Sequence, residues 1–455
     1  MIRKSLSVLI FGLITQQSVL YAQQESLLGK IWTETQKNYS GIRAAESAIE
    51  SSEYNEETVK SKALPQVKLQ YQNTYGTLEG SSGGFFPQSG FFNVSGNRNS
   101  GSSLSSNNFG SAIAEYEIYN FGRQKSEERS ANEFTQKLRT DKESYLLKLK
   151  KLLSQRYLDY VFNGAKLRWA ERNSTRLEEI HSSSKALSRA GLKPEADSVL
   201  TYSSYVQALA MQDNWFGKQQ AATEKLKEFY IDNFKVEDYQ VSHFLAPEIN
   251  SFNSEKVNPS HPFIKSIHQE SEYYQTKAEI ERRSSLPSLK ILGGYAYRGS
   301  GADPYGNVSG KFTDGFSNSA NNALVGLGLT WNISSLHTNR QKANMLSKEA
   351  ERLGYLENQY QLSLQTEIKA LESRIVEQQK QLKKESASVK GASDAYEMYV
   401  ARYKSGLITL TELLQIRQIL ENAEKSQIDA AKEFWEQVIA KAELTGDFDY
   451  LFTQL

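Results

Sequence analysis

The 455-residue chain has no cysteine, which removes disulfides, thiolate catalysis, cysteine-ligated zinc and a lipidated N-terminal cysteine at once. It has only 5 histidines, His181, His243, His261, His268 and His337, with no pair at metal-binding helical spacing and no His-Glu-x-x-His. No Gly-x-x-x-x-Gly-Lys loop is available to cradle a phosphate, and Gly326-Leu327-Gly328 sits inside a strand pattern without a following glycine and helix. These absences argue against an enzyme and predict no cofactor, no metal and no energy transduction by the chain itself. Lys+Arg 54 against Asp+Glu 53 leaves a net charge of +1, so nothing global steers the protein to nucleic acid. Beyond the N-terminus no stretch approaches the ~18 consecutive apolar residues of a spanning helix, so a chain placed in a membrane would enter as strands. Proline is scarce, with none between Pro87 and Pro194 and none after Pro304, which permits long uninterrupted helices.

What is present begins with Arg3 and Lys4, an apolar stretch from Leu6 to Ile14, and Ala22 before Gln23: the layout of a secretory signal peptide over residues 1–22, the alternative being a short membrane anchor. The rest reads as one plan written twice, over 23–245 and 246–455. Ile42 and Ile264 each open a polar helical run ending at Leu64-Pro65 or Leu286-Pro287. An alternating strand, a Gly/Ser/Asn-rich loop and a second strand closing on Tyr119-Asn120 or Trp331-Asn332 come next. A long helical hairpin follows, about 121–230 and 336–444, with its bend at Gly191-Leu192 or Gly406-Leu407.

The strands are predicted at about 64–75, 111–120, 287–298 and 323–333. In the first, Val67, Leu69, Tyr71 and Tyr75 oppose Lys68, Gln70, Gln72 and Thr74; in the second, Ala112, Ala114, Tyr116 and Ile118 oppose Glu115 and Glu117. In the third, Leu289, Ile291, Tyr295 and Tyr297 oppose Lys290 and Arg298; in the fourth, Val325, Leu327, Leu329 and Trp331 oppose Gly326, Gly328 and Thr330. Each has roughly the 9–11 residues of period two that a tilted transmembrane strand requires, with Tyr75, Tyr119, Tyr297 and Trp331 near strand ends as interfacial aromatics. A soluble sheet with one wet face would fit any single strand equally well. The connecting loops, about 76–111 and 299–322, carry Phe85, Phe86, Phe91, Phe92 and Phe316, whose plainest role is to fill the loop.

From Thr338 to Lys404 the apolar residues Leu353, Leu356, Tyr360, Leu364, Ile368, Leu371, Ile375, Leu382 and Val389 step mainly by three, four or seven, a coiled-coil-like seam. Such a helix, roughly 100 Å long and polar on its other faces, must line something wet or join a bundle of its own kind. Four strands cannot close, and an open edge in lipid leaves unpaired backbone groups costing several kcal/mol each, so the chain must oligomerise. Two copies would give eight strands and a filled interior; three would give twelve and a passage.

These features together resemble the TolC family of outer-membrane efflux proteins. The resemblance rests on the duplicated helix-Leu-Pro-strand plan, the turn Tyr119-Asn120-Phe121-Gly122-Arg123, Arg189-Ala190-Gly191-Leu192, and Arg402-Tyr403-Lys404-Ser405-Gly406-Leu407 followed by Thr411, Glu412, Leu413 and Leu414. It implies a mixed fold, a transmembrane β-barrel plus a long α-helical coiled-coil barrel, in a homotrimer with twelve strands and a periplasmic tunnel. It also implies an outer-membrane location and two partners, a periplasmic adaptor protein and an inner-membrane pump of the RND or ABC type. By the same resemblance the adaptor docks at Ala190, Gly191, Leu192, Ser405, Gly406 and Leu407. The periplasmic gate falls on Tyr403, Glu412 and Asp197, with Ile408 and Gln415 standing where the family has polar residues. Thr409 and Glu412 equally have capping-box spacing. Glu115 and Glu117 are placed on the barrel lumen, where Lys68, Lys290 and Arg298 would offset them. The rival reading is a periplasmic coiled-coil adaptor of an export system, which should carry a small β-sandwich and one hairpin.

Overall fold

The computed structural model describes residues 26–77, 104–229, 244–245, 260–301 and 310–454, with 303, 305, 307 and 308 between the last two. The predicted signal peptide and Phe85, Phe86, Phe91 and Phe92 lie outside the described residues. Helices α1 (Leu27–Asn38) and α2 (Ser40–Ser61) lead to strands β1 (Gln66–Thr77) and β2 (Leu104–Tyr119), then α3 (Arg123–Arg189) and α4 (Glu195–Leu226). The order recurs as α5 (Pro262–Arg283), β3 (Ser288–Ser300), β4 (Ala320–Thr330), α6 (Ser335–Lys404) and α7 (Leu410–Thr445), with a terminal α8 (Asp449–Gln454).

Contacts gather these elements into two compact units, each drawing on both repeats: Ser40–Lys148 with Ser254–Lys369, and Met1–Tyr39 with Leu149–Asn253 and Ala370–Leu455. The first holds the sheet, an antiparallel meander in the order β1-β2-β3-β4. Pro65 and Pro287, which lack an N–H for a helical hydrogen bond, stand between each preceding helix and its strand. Pro262 starts α5 at its first turn, where His261 caps it by accepting from the Phe263 N–H.

The register bears out the face reading. Val67 pairs with Ala114, Ala114 with Gly293 and Gly293 with Val325; Leu69, Ala112, Tyr295 and Ala323 form another such row. Lys68, Ile113, Gly294 and Leu324 run along the opposite face, and Lys290 pairs with Glu117 on that face. A slip at Glu117/Tyr119 puts Tyr119, and not Ile118, opposite Leu289. The loop expected over 76–111 is shorter than that, because β2 already begins at Leu104. Ser105, Ser106 and Asn108 look like loop residues, but this central strand hydrogen-bonds on both sides, so its backbone needs are met whatever the side chains prefer. The Asn108 carboxamide oxygen also accepts from Tyr71 Oη at 2.9 Å and Asn73 Nδ2 at 2.6 Å. At the other end β4 runs Ala320–Thr330, three residues earlier than its expected bounds.

The seam of α6 is real. Leu353, Leu364 and Ile368 are buried in the first unit, and Leu371, Ile375 and Leu382 in the second, while Leu356 turns outward. Tyr396 and Tyr403 continue the seven-residue spacing of Ile368, Ile375, Leu382 and Val389 to the end of the helix. In the second unit α1 packs on α8: Trp32 stacks on Phe452 at 5.7 Å, and Ser26 Oγ donates to the Phe452 carbonyl.

Candidate functional site

Two regions carry the predicted site residues. Both faces of the sheet are exposed, and one of them is apolar: Val67, Leu69, Tyr71, Tyr295, Leu327 and Leu329 all stand out from it, and Val325 is 86% exposed. A contiguous exposed apolar face of this kind marks a surface that meets a partner or a lipid. Among the described residues β1 and β4 each have one neighbour, so both edges of the sheet are open. The opposite face carries Glu115 and Glu117, each matched to a cation: Lys290 Nζ stands 3.7 Å from Glu115, and Arg123 Nη2 donates to Glu117 at 2.9 Å. The turn joining β2 to α3 is fixed by α5, whose Arg283 donates to the Phe121 carbonyl at 2.7 Å. Its counterpart after β4 is tied through Trp331 Nε1 to the Ser285 carbonyl at 3.1 Å.

The hairpin tips, both in the second unit, have one construction. Gly191 has φ 73 and Gly406 φ 75, the left-handed region that glycine enters without penalty. Each helix closes with the same pair of hydrogen bonds: the Leu192 N–H to Leu187 O and the Gly191 N–H to Ser188 O, both 2.9 Å, matched by Leu407 to Arg402 and Gly406 to Tyr403, both 2.9 Å. This double-bonded ending absorbs the last free carbonyls and turns the next leucine away from the helix. Leu192 and Leu407 are each 70% exposed, beside exposed Ala190 and Ser405. Lys193 ties the tips together, donating to the Ile408 carbonyl at 3.3 Å and standing 5.7 Å over the Tyr403 ring.

The three predicted gate residues differ in setting. Tyr403 is 1% exposed, packed among Ile180, Tyr396, Ile408, Leu410 and Leu413. Burial raises its phenol above the ordinary value, the facing Ser184 hydroxyl opposes this, and the charge of Asp197 adds to it. The two hydroxyls sit near one another but outside hydrogen-bond geometry. Ile408 is buried in the same cluster, which explains an aliphatic residue where the resembling family has a polar one. Glu412 is exposed and completes a capping box: its carboxylate accepts from the Thr409 N–H at 2.7 Å, and its own N–H donates to Thr409 Oγ1 at 3.3 Å. The Thr409 backbone and hydroxyl therefore hold this carboxyl below its ordinary value, helped by Arg402 and Lys193. Asp197 lies in the first turn of α4, and its charge reaches Tyr403.

The sequence reading missed the ion pairs that join α3 to α7. Arg176 grips Glu424 with two bonds of 2.8 Å, Lys166 reaches Asp429 at 2.7 Å, and Lys432 reaches Asp159 at 2.8 Å. Arg417, itself buried, binds Glu421 at 2.7 Å and Asn173 at 3.0 Å. The only prior signal was a charge on each helix every turn or two, which an exposed face shows equally.

Residues 255–447 match the outer membrane efflux protein family. The match covers the second repeat. Solved structural neighbours extend the likeness from the second repeat to nearly the whole fold. The CmeC outer membrane channel of Campylobacter jejuni aligns with a TM-score of 0.73 at 15% identity, over 93% of this chain and 86% of that one. The outer membrane protein VceC of Vibrio cholerae gives 0.73 at 12%, over 94% and 98%. The open state of the Neisseria gonorrhoeae MtrE outer membrane channel gives 0.63 at 15%, over 92% and 89%. Among curated protein sequences none matches. The chain therefore shares with these channels a fold that combines four strands per chain with long helices.

Proposed function

We propose that the protein is the duct of an export system: three copies close a twelve-stranded barrel, and their long helices form a periplasmic tunnel. The observation that carries this reading is the sheet, open at both edges and with one exposed face that is apolar. In lipid neither edge can stay unpaired, and twelve strands leave a passage that eight would fill. Substrates pass from the periplasm, or directly from a partner, and the energy comes from an inner-membrane pump of the RND or ABC type. A periplasmic adaptor protein docks on the hairpin tips at Ala190, Gly191, Leu192, Ser405, Gly406 and Leu407, where exposed leucines stand on matched helix ends. Tyr403, Glu412 and Asp197 govern closure at that end, Tyr403 from inside the packed pair of hairpins. The protein in mild detergent should run as a trimer that collapses to monomer on heating; a monodisperse monomer that keeps its strand content would overturn the proposal. Charged residues in place of Leu192 and Leu407 should abolish export while the trimer stays in the membrane, and normal export in that double variant would remove the docking assignment.

A further inference from the structure

The apolar face of the sheet stops short at the end away from the helices. An outward band about 25 Å tall, on strands tilted about 40°, needs roughly ten residues of strand. On β2 the apolar outward positions are Tyr116, Ala114 and Ala112, about half of that; the same face then continues as Gly110, Asn108 and Ser106. Asn73 on β1 and Asn321 on β4 share this outer zone.

Ser106 and Asn108 of β2 are covered by a segment that is not a strand. Residues 310–317, which include the single turn Phe312–Phe316, lie on the outward face across β2, from β1 to β3. Tyr75 Oη donates to the Gly310 carbonyl at 2.8 Å, and Tyr297 Oη donates to the Phe316 carbonyl at 3.5 Å; the register puts both tyrosines on the outward side. Two glycines allow the close seat. A Cβ at Gly315 would collide with Ser106 Oγ, and one at Gly299 with the Gly315 carbonyl. Beneath the segment Ser106 and Asn108 are fully buried, while Phe312 at 53% and Phe316 at 55% exposure point away, Phe312 tilted against Tyr75 at 6.0 Å.

We propose that this segment is a lipid-facing flap: it hides the polar part of β2 and completes the apolar band with Phe312 and Phe316, which insert among the lipids of the outer leaflet. The proposal rests on the reading of the sheet as part of a membrane barrel. Lipid is the occupant because the two rings continue the same exposed face as Val67, Leu69 and Leu327, and aromatic rings favour the boundary between headgroups and chains. With no native cysteine, single reporters are simple to place. Phe312→Cys, Phe316→Cys, Leu327→Cys and Leu192→Cys would each be labelled with bimane on the full chain, checked as heat-modifiable trimers, and reconstituted in phosphatidylcholine vesicles with or without doxyl-labelled lipid. The expected result is loss of emission at 312 and 316 as large as at 327, with none at 192. Quenching at 327 without quenching at 312 and 316 would overturn the flap and leave the barrel standing, as it would if a second copy of the chain covered the two rings. No quenching at 327 would overturn the barrel reading itself, and the flap with it.

Discussion

Glu412 holds its own helix end and also stands exposed beside the bend, and the two roles separate on titration. Its carboxyl is held below the ordinary value of 4.5 by Thr409, so the stability it adds is complete above the unfolded-state value and is lost as pH falls through the lower folded one. Glu412→Gln keeps an acceptor for the Thr409 N–H but has no charge to lose. Acid unfolding of this variant should therefore show less pH dependence below the carboxylate range, with unchanged stability slopes near neutral pH. An identical acid profile in both proteins would show that the cap is energetically silent. Channel measurements then address the proposed gate: if three copies form one ring, removing its three Glu412 charges should weaken block by divalent cations at the hairpin end, whereas equal block would leave Glu412 a helix cap only. The capping-box spacing was legible beforehand because it is local. The burial of Tyr403 against Ser184 was not, since it depends on which face of α6 meets α3.

The same distinction explains what could be read of the elements. The α6 seam follows from a period within one helix, and the strand faces from alternation within one strand, so both were visible before any folding. The start of β2 was not, because Ser105 through Asn108 become strand through partners supplied by β1 and β3. Nor were the bonds joining α3 to α7, since pairing partners such as Arg176 and Glu424 lie 248 residues apart. That pair is a good test of what clamps the two helices. Glu424 is nearly buried and Arg176 largely so, which makes truncating one partner worse than removing both. Arg176→Met alone should cost roughly 2–3 kcal/mol and Glu424→Gln a similar amount, discounted for the partial exposure of the arginine. The double variant should recover part of that loss in a denaturant titration. Strictly additive losses would show that the two residues act independently and that the clamp lies in Lys166–Asp429 or Lys432–Asp159.

In the proposed trimeric channel, the paired charges on the polar face of the sheet would set the ion preference. Glu115 and Glu117 do not stand alone on that face, so three copies would bring their cations with them and the proposed wall would be close to balanced. In that trimer Glu117→Gln would remove three negative charges and leave each Arg123 paired with Glu127 alone, which should move the reversal potential in a salt gradient toward anions. An unmoved potential would put the selectivity-setting constriction elsewhere. The joining of α1 to α8 carries a different consequence. Trp32 lies near one end of the chain and Phe452 near the other, yet they stack face to face with Lys150 over both rings, and β2 of the first repeat pairs with β3 of the second. Neither unit can finish until its late segment has been synthesised. Folding of the early half alone therefore leaves α1 without its stacking partner and β2 with one edge unpaired, so completion is a late, cooperative event that needs both repeats at once.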